Sequence, residues 1–361
     1  MADYRDEFQK LMESTYIPTV GDRTKIEKEF IAFHKSVFLN IPEKLYRYRK
    51  CDEYSIDSFQ KATIYVCNAN RFSDKYDSRV YIDRDKVFSE ISNGFKDAIS
   101  DLILKAIKEK NPDLVSEKAS KICYLMECGL SDQAIIKKMI DEDFAGFIKE
   151  MEEDMKRRES RFRSNEKTAK LGCFTESVQS KFMWDHYAGG YTGFALEYNL
   201  KELIAKSSRD QDSFISAYPV IYADKMPDVT NDESNAYMRE KCLKEDWMRS
   251  WAPIYHSFPL NAMHIYKPYL YKDKAEYSHE KEWRLIYYEF ENKDDFSLIP
   301  DLNSLKAIYY GPDITTENKM ILHEIAKEKG IDEYDVCLDS NSRTYNLKVS
   351  RVENDIWSQK D

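Results

Sequence analysis

The sequence lacks the closely spaced cysteine pairs that are typical of structural zinc sites. Its seven cysteines are scattered, and no C-x-x-C pair occurs. The closest two, Cys123 and Cys128, would point to different sides of a helix, and no histidine lies near them in sequence. We therefore predict reduced thiols and no structural zinc.

Long apolar runs and an excess of basic charge are also missing. The N-terminus, MADYRDEFQK, is polar, and no stretch approaches the roughly 20 apolar residues of a membrane span. This predicts a cytoplasmic protein without a membrane partner. The net charge of −10 argues against a general duplex-binding surface, because affinity for phosphates comes mainly from clustered Lys and Arg. A local basic groove remains compatible with it.

Apolar and aromatic residues are plentiful enough for a large core. The chain has 361 residues, of which 42% are hydrophobic and 14% aromatic, so one domain with an insertion, or two domains, is expected. Residues 1–40 predict one or two N-terminal amphipathic helices, with Ile26, Phe30, Phe33 and Val37 on one stripe. Residues 41–81 and 169–361 mix strands and helices without regular βαβ alternation, which indicates an α+β domain of catalytic type.

Residues 82–168 differ from their surroundings because they are charged and helically periodic. Gly129 and Ser131 are suited to end one helix and start the next. The segment therefore predicts a helical insertion whose apolar side chains pack largely among themselves, as a lid or a partner surface. A further helical stretch is predicted around Trp247 and Trp251.

Two short strands carry polar side chains at alternating positions. In "LYRYR", Arg47 and Arg49 share a face, and two guanidinium groups suit a pyrophosphate; exposed arginines paired with carboxylates are the alternative. In "CFTES", Thr175 and Ser177 share a face, where hydroxyls can hold a neighbouring backbone or carboxylate in place. An ordinary strand end is the alternative there.

The string "MWDHYAGGYTGFALEY" is the most unusual local pattern. Trp184, His186 and Tyr187 cluster before two glycines, which allow a tight turn or a close approach to a ligand. His186 follows Asp185, as a general base could, but no G-x-S-x-G nucleophile motif completes a triad. A capping or core role for His186 is the alternative.

The string "SHEKEWRLIYYEF" places two glutamates two residues apart. In an extended strand the carboxylates of Glu280 and Glu282 would lie on one face, where each raises the cost of ionising the other. Arg284 on the same face would be the partner that keeps both ionised. The pair is either catalytic or a solvated strand end.

In chain order, an arginine strand, an aromatic-Thr-x-Ser strand and an E-x-E strand resemble the R-S-E signature of arginine-type ADP-ribosyltransferases. The resemblance implies a mixed, split β-sheet and NAD as the substrate. It implies that Arg47 or Arg49 holds the NAD phosphates and that Thr175 or Ser177 supports the site. Glu282 would stabilise the cation that forms on the ribose, and Glu280 would orient the acceptor. His186 would be a further catalytic candidate, with Trp184 and Tyr187 contacting NAD.

A second resemblance covers most of the chain outside the insertion. "PEKLYRYR", "TIYVCNANRFSDKYDS", "CFTES", "MWDHYAGGYTGFALEYN" and "YSHEKEWRLIY" look like the bacterial domain of unknown function 2971 family. Asp74 and Asp77 match that family's pattern, whereas Ser73 and Lys75 replace its usual Asn and Pro. Members often occur in mobile or defence-associated bacterial neighbourhoods, which implies an anti-phage effector or toxin.

The sequence therefore predicts an NAD-consuming, ADP-ribosyltransferase-like enzyme that modifies a protein or a nucleic acid. Two alternatives stay open. One is a metal-dependent nucleic-acid enzyme or binder, in which Asp74, Asp77 and the two glutamates hold a divalent ion. The other is a non-catalytic ligand sensor or interaction module, with residues 184–187 as its pocket.

Overall fold

A computed structural model describes residues 4–17, 23–109, 119–165, 169–207, 213–244, 260–289, 294–339 and 343–352 of the chain. The predicted helix around Trp247 and Trp251 lies outside these residues. The described helices, numbered in chain order, are α1 (Tyr4–Ser14), α2 (Arg23–Asn40), α3 (Glu53–Gln60), α4 (Arg84–Lys108), α5 (Ala119–Glu127), α6 (Asp132–Asn165), α7 (Lys181–Tyr187), α8 (Leu200–Ser207), α9 (Thr230–Lys244), α10 (Lys267–Leu270), α11 (Lys274–Tyr277) and α12 (Thr316–Lys329).

The strands form one large sheet and two small ones. In chain order they are β1 (Tyr16–Ile17), β2 (Leu45–Arg49), β3 (Thr63–Cys67), β4 (Ala169–Thr175), β5 (Phe194–Tyr198), β6 (Ser213–Pro219), β7 (Ile221–Ala223), β8 (Leu260–Asn261), β9 (Tyr271–Asp273), β10 (Glu282–Glu289), β11 (Phe296–Pro300), β12 (Leu305–Tyr310), β13 (Asp332–Leu338) and β14 (Leu347–Arg351). The ten-stranded sheet is antiparallel except where β12 runs parallel to β13. The predicted α+β class with a mixed sheet is confirmed.

The large sheet divides at β4. One edge of β4 pairs along its whole length with β10, which in turn pairs with β6. The other edge is shared: Leu171 pairs with Cys67 of β3, and Thr175 pairs with Tyr46 of β2. β3 continues to β11, whereas β2 continues through β5 to β12, β13 and β14. The divergence of β2 from β3 leaves space above β4.

Apolar side chains cover both faces of the sheet. On one face, Leu45, Val66, Phe174 and Trp283 belong to the largest buried cluster. On the other, α1 and α2 pack through Phe8, Phe33 and Val37 against sheet residues that include Tyr218 and Ile286. On the predicted α2 stripe, Phe33 and Val37 are thus buried, whereas Phe30 is 41% exposed. Because α1 packs here, its side chains reach the start of β10.

The helices between β3 and β4 form a separate apolar cluster. Its buried residues come from α4, α5 and α6, together with Tyr237 and Met238 of α9. Gly129 follows α5 with a left-handed φ of 76°, and the Ser131 hydroxyl accepts a hydrogen bond from the Ala134 amide. The division of the chain into an α+β domain and an insertion at 82–168 stays a prediction. None of the helices in the described part of the chain has the length and apolarity that a membrane crossing requires.

Gly193 lets three backbone segments meet at the end of β2. A Cβ built on Gly193 would lie 2.1 Å from the Arg49 carbonyl oxygen and 2.8 Å from that of Ala188. We expect Gly193→Ala to lower the free energy of unfolding by about 1–3 kcal/mol, because backbone atoms must move to admit the methyl group. Urea unfolding measures this. Gly146→Ala is the control, since nothing lies within 4 Å of its added Cβ, and it should not destabilise the protein.

Candidate functional site

A cavity of about 400 Å³ lies where β2 and β3 diverge above β4. Its lining includes side chains from all three strands and from β10. Three arginines come from β2 and the turn after β3: Arg47, Arg49 and Arg71. Across β4 lie Lys272, Glu280, Glu282 and Arg284, with Tyr187 reaching in from α7. We call these the arginine side and the glutamate side.

The arginine side carries positive charge without carboxylate partners. Arg47 is 8% exposed, donates from Nη2 to the Tyr65 carbonyl at 2.5 Å and lies 5.4 Å from the centre of the Phe174 ring. Its Nη1 atom is buried, and the described residues offer it no hydrogen-bond partner. Among the same residues, no carboxylate is within ion-pair distance of Arg47, Arg49 or Arg71. A buried, unpartnered guanidinium nitrogen favours an anionic ligand here.

Burial lowers the pKa of both Arg47 and Arg49, and the charge of Arg47 lowers the pKa of Arg49 further. A guanidinium nevertheless keeps its proton in proteins. Two adjacent, partly desolvated cations therefore stand at this side of the cavity. An anion that contacts both would relieve their repulsion.

The glutamate side begins with a turn rather than with a longer strand. β10 starts at Glu282, and Ser278–Glu280 forms a 3-10 turn, so the prediction of one strand holding both glutamates is wrong for Glu280. Lys281 between them has a left-handed φ of 46°. The turn still brings the carboxylates together, because both accept from Lys272 Nζ, at 2.8 Å for Glu280 and 3.1 Å for Glu282.

Arg284 is the second cation of the glutamate side. It is fully buried, donates from Nε to Glu282 at 2.8 Å, and holds both oxygens of Asp77 at 2.8 and 2.5 Å. It was expected to neutralise both glutamates, but Glu280 is paired with Lys272 instead. Burial would raise the pKa of Glu282, yet Arg284 and Lys272 outweigh it and lower that pKa to about 2. Glu282 is therefore an ionised carboxylate at neutral pH.

Hydrogen bonds from three other elements hold the backbone of this segment. Thr175 Oγ1 donates to the Glu280 carbonyl at 2.6 Å, and the Tyr222 hydroxyl accepts from the Glu282 amide at 2.7 Å. Arg5 of α1 donates to the Glu282 carbonyl at 3.1 Å. Thr175 thus makes the kind of supporting contact expected of it. Ser177 lies beyond the end of β4, where its carbonyl accepts from the Tyr48 hydroxyl at 2.8 Å.

Of the three candidates around α7, only Tyr187 lines the cavity. Its hydroxyl donates to Glu280 Oε1 at 2.6 Å. Trp184 is fully buried in the core, donates to the Val178 carbonyl and packs against Tyr48 with ring centres 4.9 Å apart. His186 is exposed and stacks on Phe182 at 3.9 Å. The geometry therefore offers Trp184 and His186 no direct contact with a ligand in this cavity.

Sequence reasoning missed Lys272. It lies on the three-residue strand β9, which pairs with β7 outside the large sheet. Its string, "YLYKDKAEY", has neither a clear alternation nor a turn signal. Only the proximity of a lysine to the E-x-E motif could have indicated it.

Three of the four carboxylates proposed for a divalent ion are bound to cations, and the fourth, Asp74, accepts a hydrogen bond from the Tyr76 amide at 2.8 Å. Asp77 is held by Arg284, Glu280 by Lys272, and Glu282 by both. Across the residues that the structure describes, no group of three or more His, Cys, Asp or Glu side chains has the arrangement of a metal site.

A family model described as "Protein of unknown function (DUF2971)" matches residues 183–285. The matched segment runs from α7 into β10 and so contains Tyr187, Lys272, both glutamates and Arg284. No curated protein and no solved structure gives a significant match to the chain.

Proposed function

We propose that the protein cleaves NAD between nicotinamide and ribose and transfers the ADP-ribose to an acceptor or to water. One observation carries the proposal: a single cavity joins Arg47, whose buried Nη1 atom has no partner among the described residues, and the neighbouring Arg49 to a fixed, ionised glutamate across β4. NAD combines the two features that such a cavity suits, a pyrophosphate and a ribose that becomes cationic during cleavage.

The arginine side supports binding of the pyrophosphate. Guanidinium groups form charge-assisted, often bidentate hydrogen bonds with phosphate oxygens. The Nη1 atom of Arg47 is buried and has no partner among the described residues. Arg49, two residues further along β2, lines the same cavity. This arrangement would bind ADP-ribose as well as NAD, since both carry the pyrophosphate.

The glutamate side supports the cleavage step. Breaking an N-glycosidic bond builds positive charge on the sugar, and a preorganised carboxylate stabilises that charge. Asp77, Glu280 and Glu282 share two cations, Lys272 and Arg284, so one formal negative charge remains in the cluster. Glu282 would oppose the ribose cation, and Glu280, held by the exposed Tyr187, would face the acceptor.

The order of the strands also supports the proposal. The arginines lie on β2, Thr175 at the end of β4 and Glu282 at the start of β10, and β4 is adjacent to both other strands. The resemblance to the R-S-E pattern of ADP-ribosyltransferases implies these residue types, in this chain order, on a split, mixed sheet. A role as an anti-phage effector or toxin is a further proposal, since loss of cellular NAD would stop growth.

Release of nicotinamide tests the proposed function. The purified protein is incubated with NAD, with and without a cell lysate as a source of acceptors, and the products are separated by chromatography. We expect free nicotinamide together with ADP-ribose or an ADP-ribosylated macromolecule. Intact NAD under both conditions would contradict the proposal.

One observation favours a second candidate, a module that binds such a ligand without cleaving it. Lys272 contacts both glutamates, and its positive charge offsets part of the negative charge that would stabilise a cation on the ribose. For such a module, ADP-ribose and NAD would each raise the melting temperature, because each binds the native state. No nicotinamide would be released.

Arg49→Gln is expected to weaken ADP-ribose binding about tenfold or more, because a charge-assisted hydrogen bond contributes roughly 1.5–3 kcal/mol. Isothermal titration calorimetry measures the dissociation constant. Lys50→Gln is the matched control, since it removes the same charge from an exposed neighbour that does not line the cavity. Equal weakening by both substitutions would mean that only the overall charge matters.

A further inference from the structure

Lys272 contacts the carboxylates of both glutamates. Its Nζ atom lies 2.8 Å from Glu280 Oε2 and 3.1 Å from Glu282 Oε2. The lysine side chain is 7% exposed, and its ammonium lies 4.0 Å from the centre of the Tyr277 ring. A buried ammonium in contact with two carboxylates and an aromatic face has little freedom to leave.

Two carboxylates that share one buried site do not readily ionise together. Without a cation between them, one keeps its proton well above its ordinary pKa, and the pair titrates as a coupled unit. We propose that Lys272 is a positioning residue that holds the carboxylates of Glu280 and Glu282 together and compensates their charge.

The other charged and titratable groups around the pair do not replace Lys272. Arg284 contacts Glu282 but shares its charge with Asp77, and Arg5 binds the Glu282 carbonyl together with the Glu176 carboxylate. Tyr187, Cys173 and Tyr222 also face the pair and carry no positive charge. Tyr277 lies against Lys272, with Asp74 beside it. His279 and Lys281, next to the glutamates in the chain, are exposed. Among the described residues, Lys272 is thus the cation that touches both glutamates.

The charge of Lys272 is itself secure. Burial would lower its pKa, but Glu282 and Glu280 outweigh burial and raise that pKa above its ordinary value. The bridge also joins two parts of the fold, because Lys272 lies on β9 of the small β7–β9 sheet and Glu282 on β10 of the large sheet. The catalytic meaning of the bridge rests on the proposed function, whereas its existence does not.

The first test is the pH profile of kcat/KM for NAD cleavage. The wild type should stay active to acidic pH, whereas Lys272→Met should move the acid limb upward by about one pH unit or more. Lys272→Arg, which keeps the charge, should leave the limb near its original position. Lys274→Met, an exposed lysine two residues further on, is the control. A uniform loss of rate with an unmoved limb would overturn the proposal.

The second test needs no activity. Lys272→Met should lower the melting temperature, and Glu280→Gln should lower it in the wild type because it breaks the bridge. In the Lys272→Met background, Glu280→Gln should instead raise it, because one of two uncompensated carboxylates disappears. If Lys272→Met does not fold, the double variant is still expected to fold, and an unfolded double variant contradicts the proposal.

The outcomes also separate the bridge from the proposed function. If Glu280→Gln changes the melting temperature in opposite directions in the two backgrounds, but the wild type cleaves no NAD, the bridge is supported and the proposed function is rejected. Additive losses would reject the bridge.

Discussion

Glu282→Gln is expected to give a folded protein that cleaves NAD about a hundredfold to a thousandfold more slowly, as loss of one preorganised electrostatic group typically does. The amide occupies nearly the same volume but carries no charge to oppose a cation on the ribose. In the variant, Lys272 stays paired with Glu280 and Arg284 stays paired with Asp77, so neither cation loses all its carboxylate partners. Nicotinamide release, with circular dichroism to verify folding, measures the effect.

Glu289→Gln is a matched control for that substitution. Glu289 ends the same strand and pairs with Lys170 at 3.3 Å, outside the cavity lining. Glu289→Gln should therefore leave the rate of NAD cleavage unchanged.

Glu280→Gln should reduce transfer to an acceptor more than hydrolysis of NAD. Equal rates for the wild type and a well-folded Glu282→Gln variant would contradict the assignment of Glu282.

Arg284→Met is expected to lower the free energy of unfolding by about 3–5 kcal/mol, the usual cost of removing one partner from a buried ion pair. Methionine fills part of the space but leaves Asp77 without the two hydrogen bonds that Arg284 donates to it. Glu282 keeps only Lys272. Urea unfolding at pH 7 measures the loss, and Arg351→Met is the control, because its pair with Asp332 is largely exposed and contributes little.

The destabilisation by Arg284→Met should also depend on pH. The low pKa of Glu282, about 2, stabilises the native state above the ordinary pKa of an unfolded glutamate, roughly 4.3. This contribution is lost as the pH falls from about 5 towards 2, so the difference between wild type and variant should narrow over that range. A loss no greater than that of Arg351→Met at pH 7 would contradict the structural role given to Arg284.

Local patterns predicted the parts of the site that lie on regular strands. Alternation placed Arg47 and Arg49 on one face of β2, and both line the cavity. The same reasoning gave Thr175 a hydroxyl that could hold a neighbouring backbone or carboxylate, and this hydroxyl binds the Glu280 carbonyl. These residues were predictable because a strand has a fixed period of two.

The rest depends on contacts that local sequence does not encode. Alternation misplaced Glu280, because a 3-10 turn and the left-handed Lys281 precede the strand, which begins only at Glu282. The partner of Arg284 is Asp77, 207 residues away. Trp184 and His186 share a short helix with Tyr187, yet helix geometry sends one to the core and the other to solvent. Only the tertiary packing of α7 decides which of the three reaches the cavity.

The pairing of β10 with a much earlier strand has a consequence for the growing chain. On the ribosome, β2, β3 and β4 emerge long before Glu282. The Glu282 carbonyl that Arg5 binds lies 277 residues further along the chain. Contacts of such large sequence separation carry a large loop-closure entropy, and they cannot form before both segments are synthesised. An unfinished chain that stops before β10 would therefore carry the arginines without Glu282. Such a chain would also lack Trp283 and Leu285 of the main core, so under the proposed function cleavage of NAD would begin only after β10 has joined the sheet.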